Sequence, residues 1–129
     1  MKNEFLWDTG ALIDIYLGRT RIKPYVDLLA QNELVAFVSA ISEAELWRGL
    51  RPGELVKHEV ILGRFTLLPL RSEMARLAGQ WMQLYQKQGL GWMDAFIVAT
   101  AHVAGLPLLT RNKKLATLLN QETKIVLYD

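Results

Sequence analysis

The chain has 129 residues, of which 51% are hydrophobic and 22% are charged; its formal net charge is +2, and it has no cysteine. This composition suits one domain with a packed core, and it excludes a disordered chain, a disulfide framework and a thiolate zinc site. A charge of +2 is too small to indicate nucleic-acid binding by itself.

Strands and helices alternate along the predicted chain. A strand at residues 4–7 leads into a helix at about 11–17, and Pro24 opens a second helix that runs to about residue 30. The later elements are a strand at 34–38, a helix capped by Ser39 or Ser42 and running to about 50, a helix near 54–63, a strand at 65–68, helices at 72–88 and 92–104, a strand at 106–109, a helix at 113–120 and a strand at 124–128.

The predicted strands are short and apolar on both faces. Such strands, alternating with helices, indicate an α/β fold of three layers, in which a central, mostly parallel sheet of about five strands has helices on both faces. Ligands of such sheets bind beyond the carboxyl ends of the strands. Acidic residues that directly follow strands are therefore expected to converge at one rim.

No segment has the pattern of a membrane span or a signal peptide. The first eight residues lack a long apolar region, and the longest stretch without a formal charge, residues 95–110, is interrupted by Gly105 and Pro107. We therefore expect one domain over residues 1–129, in a soluble, cytoplasmic protein that does not associate with a membrane.

Two aspartates occupy positions that need an explanation. Asp8 directly follows the first predicted strand, where it could cap the next helix or face the rim. Asp94 is the only formal charge between Gly89 and Thr110, and its neighbours are apolar almost all round. A carboxylate in such a helix must be paired, bound to a metal or kept neutral, unless it caps the helix start.

Glu43 and Glu45 share one predicted helix, and helical spacing alone does not decide which of them faces inward. Asn112 follows the strand at 106–109; it could cap the next helix, and a ligand role stays open. Clustered carboxylates repel one another unless a cation offsets their charge. Oxygen ligands suit Mg²⁺ or Mn²⁺ rather than zinc, and His58 and His102 match no metal spacing, so we expect them to be ordinary surface or helix residues.

Four segments together resemble the PIN-domain nucleases, and specifically the VapC-type toxins of type II (VapBC) toxin–antitoxin pairs. The segments are Asp-Thr at the start of residues 8–14, Ser…Glu-Leu-x-x-Gly within 39–49, Asp-x-x-Ile-x-Ala-x-Ala at 94–101 and Gly-Leu-x-Leu-x-Thr-x-Asn within 105–115. The resemblance covers nearly the whole chain, which it identifies as a single PIN domain. It implies that the site glutamate is Glu45 and not Glu43.

The resemblance also implies an activity, a cofactor and partners. It implies an endoribonuclease in which Asp8, Glu45 and Asp94 bind Mg²⁺, or Mn²⁺ in its place, and a metal-activated water cleaves RNA. Asn112 stands where the family often has aspartate, which leaves a one-metal or two-metal mechanism open. A homodimer and a cognate antitoxin are implied as well.

Other polar residues near the predicted rim could support the site. Thr9 and Thr110 could hydrogen-bond a ligand or a phosphate. The basic residues near the same rim could contact the RNA backbone, although each could equally be a solvated surface charge; they are Arg48, Arg111, Lys113 and Lys114.

Two other functions are weighed against this hypothesis. Asn112 would suit a non-catalytic PIN-like module that binds RNA or protein. A phospho-accepting receiver domain would need paired acids after the first strand and an aspartate after the third, where the sequence has Leu68-Pro69.

Trp47 and the apolar stripe through Trp81 are interpreted mostly as core, with a partner-facing role as the alternative.

Overall fold

The structure is a computed structural model that describes residues 3–129. Five strands form one sheet, in the order β3-β2-β1-β4-β5, and every pair is parallel. The strands are β1 Asn3–Trp7, β2 Leu34–Ser39, β3 Thr66–Leu68, β4 Leu108–Thr110 and β5 Ile125–Leu127. The predicted α/β architecture is confirmed. The sheet is wholly parallel because every connection contains a helix that returns the chain to the same edge.

Seven α-helices lie between the strands. They are α1 Thr9–Tyr16, α2 Lys23–Ala30, α3 Ala40–Arg48, α4 Leu55–Leu62, α5 Ser72–Tyr85, α6 Trp92–Ala104 and α7 Lys113–Leu119. The predicted helix at 72–88 is α-helical only to Tyr85 and ends in a 3₁₀ turn, Gln86–Gln88, before Gly89 at φ 106°. The predicted strand at 106–109 begins two residues later, because the Leu106 N–H bonds back to Ala101 in α6 and Pro107 has no N–H.

The sheet separates two apolar cores. Neighbouring residues on a strand point to opposite faces, so Leu6 packs with α5 and α6 on one side while Trp7 packs with α1 on the other. Leu108 and Leu109 on β4 divide in the same way. The predicted stripe on α5 is confirmed, and Trp81 is part of the core.

Several helix side chains have a burial that the sequence pattern did not specify. His58 is a helix residue, as one alternative predicted, but it is buried, and its Nδ1 lies 2.6 Å from the Tyr16 hydroxyl. Trp92 and Met93 at the start of α6 are each 48% exposed, and His102 near its end is exposed as well, so only the middle of this helix, residues 97–101, is buried all round. Trp47 is equally exposed, which excludes it from the core. None of the described helices is long and apolar enough to cross a membrane.

Candidate active site

Asp8 lies where β1 ends and α1 begins, and its side chain is almost wholly buried. Its Oδ1 accepts a hydrogen bond from the Thr9 N–H at 2.8 Å, so Asp8 caps α1, as one reading of the sequence predicted. Its Oδ2 accepts a hydrogen bond from the Thr110 hydroxyl at 2.7 Å. β1 and β4 are neighbours at the point where the strand order reverses, which is where ligands of open parallel sheets bind. The buried Thr110 therefore supports Asp8 from below the site.

Glu45 reaches the same rim from α3. The Ser39 hydroxyl accepts a hydrogen bond from the Ser42 N–H and so caps this helix. Glu45 Oε1 lies 2.6 Å from the Thr9 hydroxyl, which in turn lies 2.9 Å from the Ser42 hydroxyl. Because a carboxylate only accepts and a hydroxyl has one proton, Thr9 donates to Glu45 and Ser42 is left to donate to Thr9. Thr9 thus fixes the orientation of Glu45.

Asp94 completes the acidic group from the first turn of α6. Burial, together with the charges of Asp8 and Glu45, raises its pKa to about 6, while the charge of Lys114 opposes this rise. Burial also raises the pKa of Asp8, and the charge of Glu45 adds to this rise. The hydrogen bonds from Thr110 and Thr9 and the charge of Arg111 lower the same pKa. Glu45 therefore lies close enough to disfavour the ionisation of Asp8 and Asp94, an effect that a bound cation would reverse.

These side chains line one open cavity of about 520 Å³. Its walls contain most of the residues that the sequence singled out: Asp8, Thr9, Glu45, Asp94, Arg111, Asn112 and Lys113, together with Gly10 and Ile13. Lys114 lies close enough to act electrostatically on Asp94. Arg48 is in the last turn of α3 and is not part of the cavity wall that the described residues form.

Asn112 has a structural role at this cavity. Its Oδ1 accepts a hydrogen bond from the Leu115 N–H at 3.0 Å and so caps α7. The capping interpretation of the sequence is confirmed, and the same side chain still lines the cavity.

The residues of the cavity fit a cation that keeps part of its water. Within residues 3–129, no three His, Cys, Asp or Glu side chains form a group that could hold an ion directly as they are placed. Both oxygens of Asp8 accept hydrogen bonds, and Glu45 is turned toward Thr9. Mg²⁺ is usually bound through one or two carboxylates and several waters, so the all-oxygen side chains of this cavity suit it.

The comparison with protein families agrees with this geometry. The family model of the PIN domain matches residues 5–118. The chain belongs to the PIN domain family. Among curated proteins, it is 38% identical over 79 residues to Ribonuclease VapC10 of Mycobacterium tuberculosis, and this alignment spans 58% of each chain.

Solved structures share the PIN fold over almost the whole chain. The VapBC2 complex of Rickettsia felis, bound to a promoter DNA fragment, has a TM-score of 0.81 at 22% identity and covers 98% of this chain and 99% of its own. FitAcB of Neisseria gonorrhoeae has a TM-score of 0.72 at 26% identity and covers 95% and 96%. A toxin–antitoxin complex of Klebsiella pneumoniae has a TM-score of 0.68 at 28% identity and covers 87% and 89%.

Asp14 is a buried charge of this PIN domain that the sequence analysis did not single out. It is 0% exposed, and its carboxylate lies 3.0 Å from Arg19 and 3.2 Å from Arg111. The Tyr128 hydroxyl donates a hydrogen bond of 2.6 Å to its Oδ2. The signal was present, because Asp14 is the only charge in the apolar segment 10–18, a position like that of Asp94.

Arg111 links this buried charge to the cavity of the PIN domain. Its guanidinium packs over Gly10, where a Cβ atom would lie 3.3 Å from the Arg111 Nε. Glycine at position 10 therefore lets the arginine pass between α1 and the cavity. The predicted RNA contact at Arg111 thus belongs to a side chain that already has an anionic partner in Asp14.

Proposed function

We propose that this PIN domain is a VapC-type endoribonuclease that cleaves RNA with Mg²⁺, for which Mn²⁺ can substitute. The observation that carries the proposal is the single cavity in which Asp8, Glu45 and Asp94 converge. Membership of the PIN family and the identity to Ribonuclease VapC10 support RNA as the substrate.

In this proposal the carboxylates bind and the hydroxyls orient. Asp8, Glu45 and Asp94 hold the ion, partly through water. When bound, a divalent ion supplies the charge that lowers the pKa of an attacking water and stabilises the charge that develops on the phosphodiester. Thr9 keeps Glu45 in place and Thr110 keeps Asp8 in place through the hydrogen bonds described above. Asn112 orients a water while it caps α7.

The basic residues around the cavity supply the substrate contacts. Arg111 and Lys113 line the cavity, and Lys114 acts on Asp94. Cations at these positions offset the repulsion between the carboxylates and an RNA phosphate. Arg48 is the weaker candidate of the four, since it lies on the last turn of α3, outside the cavity wall described above.

We further propose that the protein is the toxin of a type II pair, that it forms a homodimer and that a cognate antitoxin binds it. The structural neighbours that are toxin–antitoxin complexes support the antitoxin. A second groove, lined partly by Tyr16, Leu17 and Leu46, shares Ile13 and Glu45 with the cavity. Exposed apolar side chains on α3 and α4 lie in the same part of the chain, namely Trp47, Leu55, Val56 and Val60. A partner seated there would reach the carboxylates.

The test is a cleavage assay on a panel of cellular RNAs with protein purified free of antitoxin. We expect cleavage in Mg²⁺ or Mn²⁺ and none in EDTA. Asp8→Asn should be inactive, and Asp27→Asn, which alters only a surface ion pair with Lys23, should match the wild type. Binding of RNA without cleavage by folded wild-type protein would replace the proposal with a non-catalytic module, which the Asn112 position favours.

A further inference from the structure

Asp14 is held by more cations than its own charge requires. The carboxylate is wholly buried on α1, and the side chains of Arg19, Arg21 and Arg111 lie 3.0, 3.7 and 3.2 Å from it. The Tyr128 hydroxyl next to β5 donates to the same carboxylate. These cationic partners and the hydroxyl compensate the burial of the Asp14 carboxylate, which lies behind the cavity wall.

Of these three arginines, only Arg111 lines the cavity formed by the described residues. It is therefore shared between two anionic groups, with Asp14 behind it and the three site carboxylates in front. Arginine has a long, flexible stem, and its planar guanidinium pairs readily with carboxylates. An unrestrained Arg111 would pair with Asp8, whose carboxylate its charge already reaches, and would occupy the place of a metal ion.

We propose that Asp14 is a positioning residue that holds Arg111 back from the three site carboxylates and presents it to a phosphate of the substrate. This inference rests on the proposed function for the identity of the substrate. Tyr128 supports the same arrangement, because its hydrogen bond fixes the Asp14 carboxylate oxygen nearest to Arg111. Asp14 itself touches neither metal nor RNA.

A double-mutant cycle in metal affinity tests the proposal without relying on activity. The dissociation constant for Mn²⁺ would be measured by calorimetry in the wild type, Asp14→Asn, Arg111→Ala and the double variant. Asp14→Asn should weaken Mn²⁺ binding about tenfold, because the released Arg111 competes with the ion. The double variant should regain at least the wild-type affinity, because the competing cation is gone. Asp27→Asn is the matched control and should not change the affinity.

RNA binding gives the second readout. In EDTA, the contact of Arg111 with an RNA phosphate should contribute to the salt dependence with which the wild type binds single-stranded RNA. Arg111→Ala should therefore reduce the magnitude of the slope of log K against log salt by about 0.7. Asp14→Asn should lower it similarly, because its Arg111 is engaged by the site carboxylates. A general loss of structure would not produce this pattern together with restored Mn²⁺ affinity in the double variant.

Several outcomes would overturn the proposal. An Asp14→Asn variant that binds Mn²⁺ as tightly as the wild type would overturn it. An equal loss of Mn²⁺ affinity in Asp14→Asn and in the double variant would also overturn it, because the effect would then be independent of Arg111. If Asp14→Asn does not fold, Tyr128→Phe in the same cycle should give a smaller shift in the same direction, and its absence would overturn the proposal. Wild-type protein that binds Mn²⁺ but cuts no RNA would refute only the proposed function, and the cycle would still decide the role of Asp14.

Discussion

Asp94 links the electrostatics of single residues to the pH dependence of the whole site. Its pKa of about 6 belongs to the ion-free cavity, where burial and the charges of Asp8 and Glu45 favour the protonated form. A cation must displace that proton, so we predict that Mn²⁺ affinity falls up to tenfold per pH unit below about pH 6 and is nearly constant above it. Calorimetric titrations between pH 5 and pH 8 would measure this. A flat profile would contradict it.

The same residue should limit the stability of the ion-free protein. The pKa of Asp94 in the folded protein lies above its ordinary value of 3.8, so the contribution of this group to stability is fully present below about pH 3.8 and is lost as the pH rises through about 6. We predict that Asp94→Asn, in EDTA at pH 7.5, raises the free energy of unfolding by about 1–2 kcal/mol after allowance for solvent screening, while it abolishes cleavage. Urea denaturation at pH 7.5 and pH 4.5 would measure it, and the gain should shrink at the lower pH.

The hydroxyl of Thr9 orients the Glu45 carboxylate by donating a hydrogen bond to it. Thr9→Val keeps the shape of the side chain but removes the donor to Glu45. A hydrogen bond to a charged group contributes about 1.5–3 kcal/mol, so we predict that kcat/KM for RNA falls at least tenfold. Thr9→Ser keeps the hydroxyl and should stay within a few-fold of the wild type. Equal losses in the two variants would assign the effect to packing instead.

The sequence marks some residues of the site clearly and others not at all. Asp8 and Asp94 were identifiable because a charge next to an apolar run needs an explanation. Glu45 was not separable from Glu43 by periodicity, because the choice depends on a contact with Thr9 that is 36 positions away in the chain. The burial of His58 depends on another element in the same way, since its Nδ1 meets the Tyr16 hydroxyl of α1. Asp14 is different, because as the only charge in an apolar segment it carried the same signal as Asp94 and was nevertheless missed.

At the scale of elements, α7 begins at a residue that also belongs to the cavity. Asn112→Ala removes the cap and should lower the free energy of unfolding by about 1 kcal/mol. Asn112→Asp keeps the cap and adds a fourth carboxylate, so we predict near wild-type stability and tighter Mn²⁺ binding, with the pH dependence shifted upward by the added repulsion. Thermal unfolding and calorimetry on the two variants would separate the roles. Unchanged Mn²⁺ affinity in Asn112→Asp would place residue 112 outside the ion's surroundings.

Element positions were largely predictable because their ends are set locally. Ser39 caps α3 and glycine ends α6 at positions that the sequence marks. The errors were at ends where the deciding hydrogen bond is not local to the motif. β4 begins at Leu108 and not at Leu106 because Leu106 is held by the end of α6 and the Leu108 N–H bonds to Lys124.

At the scale of the whole molecule, the strand order assembles the site. Asp8 and Thr110 are 102 positions apart, yet they share a hydrogen bond because β1 and β4 are central neighbours. The sequence predicted that strand-end residues would share a rim, since parallel strands place their carboxyl ends together. It did not predict the order of the strands, which follows from how the two cores pack on the faces of the sheet.

Locating a bound ion would show whether Asp8, Glu45 and Asp94 form a metal site. Crystals soaked in Mn²⁺ would be examined in an anomalous difference map, with Asp8→Asn crystals as the control. We predict one peak in the cavity bounded by Asp8, Glu45 and Asp94, about 2.0–2.2 Å from at least one carboxylate oxygen and completed by waters, and no such peak in the variant. A peak only elsewhere, or an unchanged peak in Asp8→Asn, would contradict the claim that these three carboxylates form the metal site.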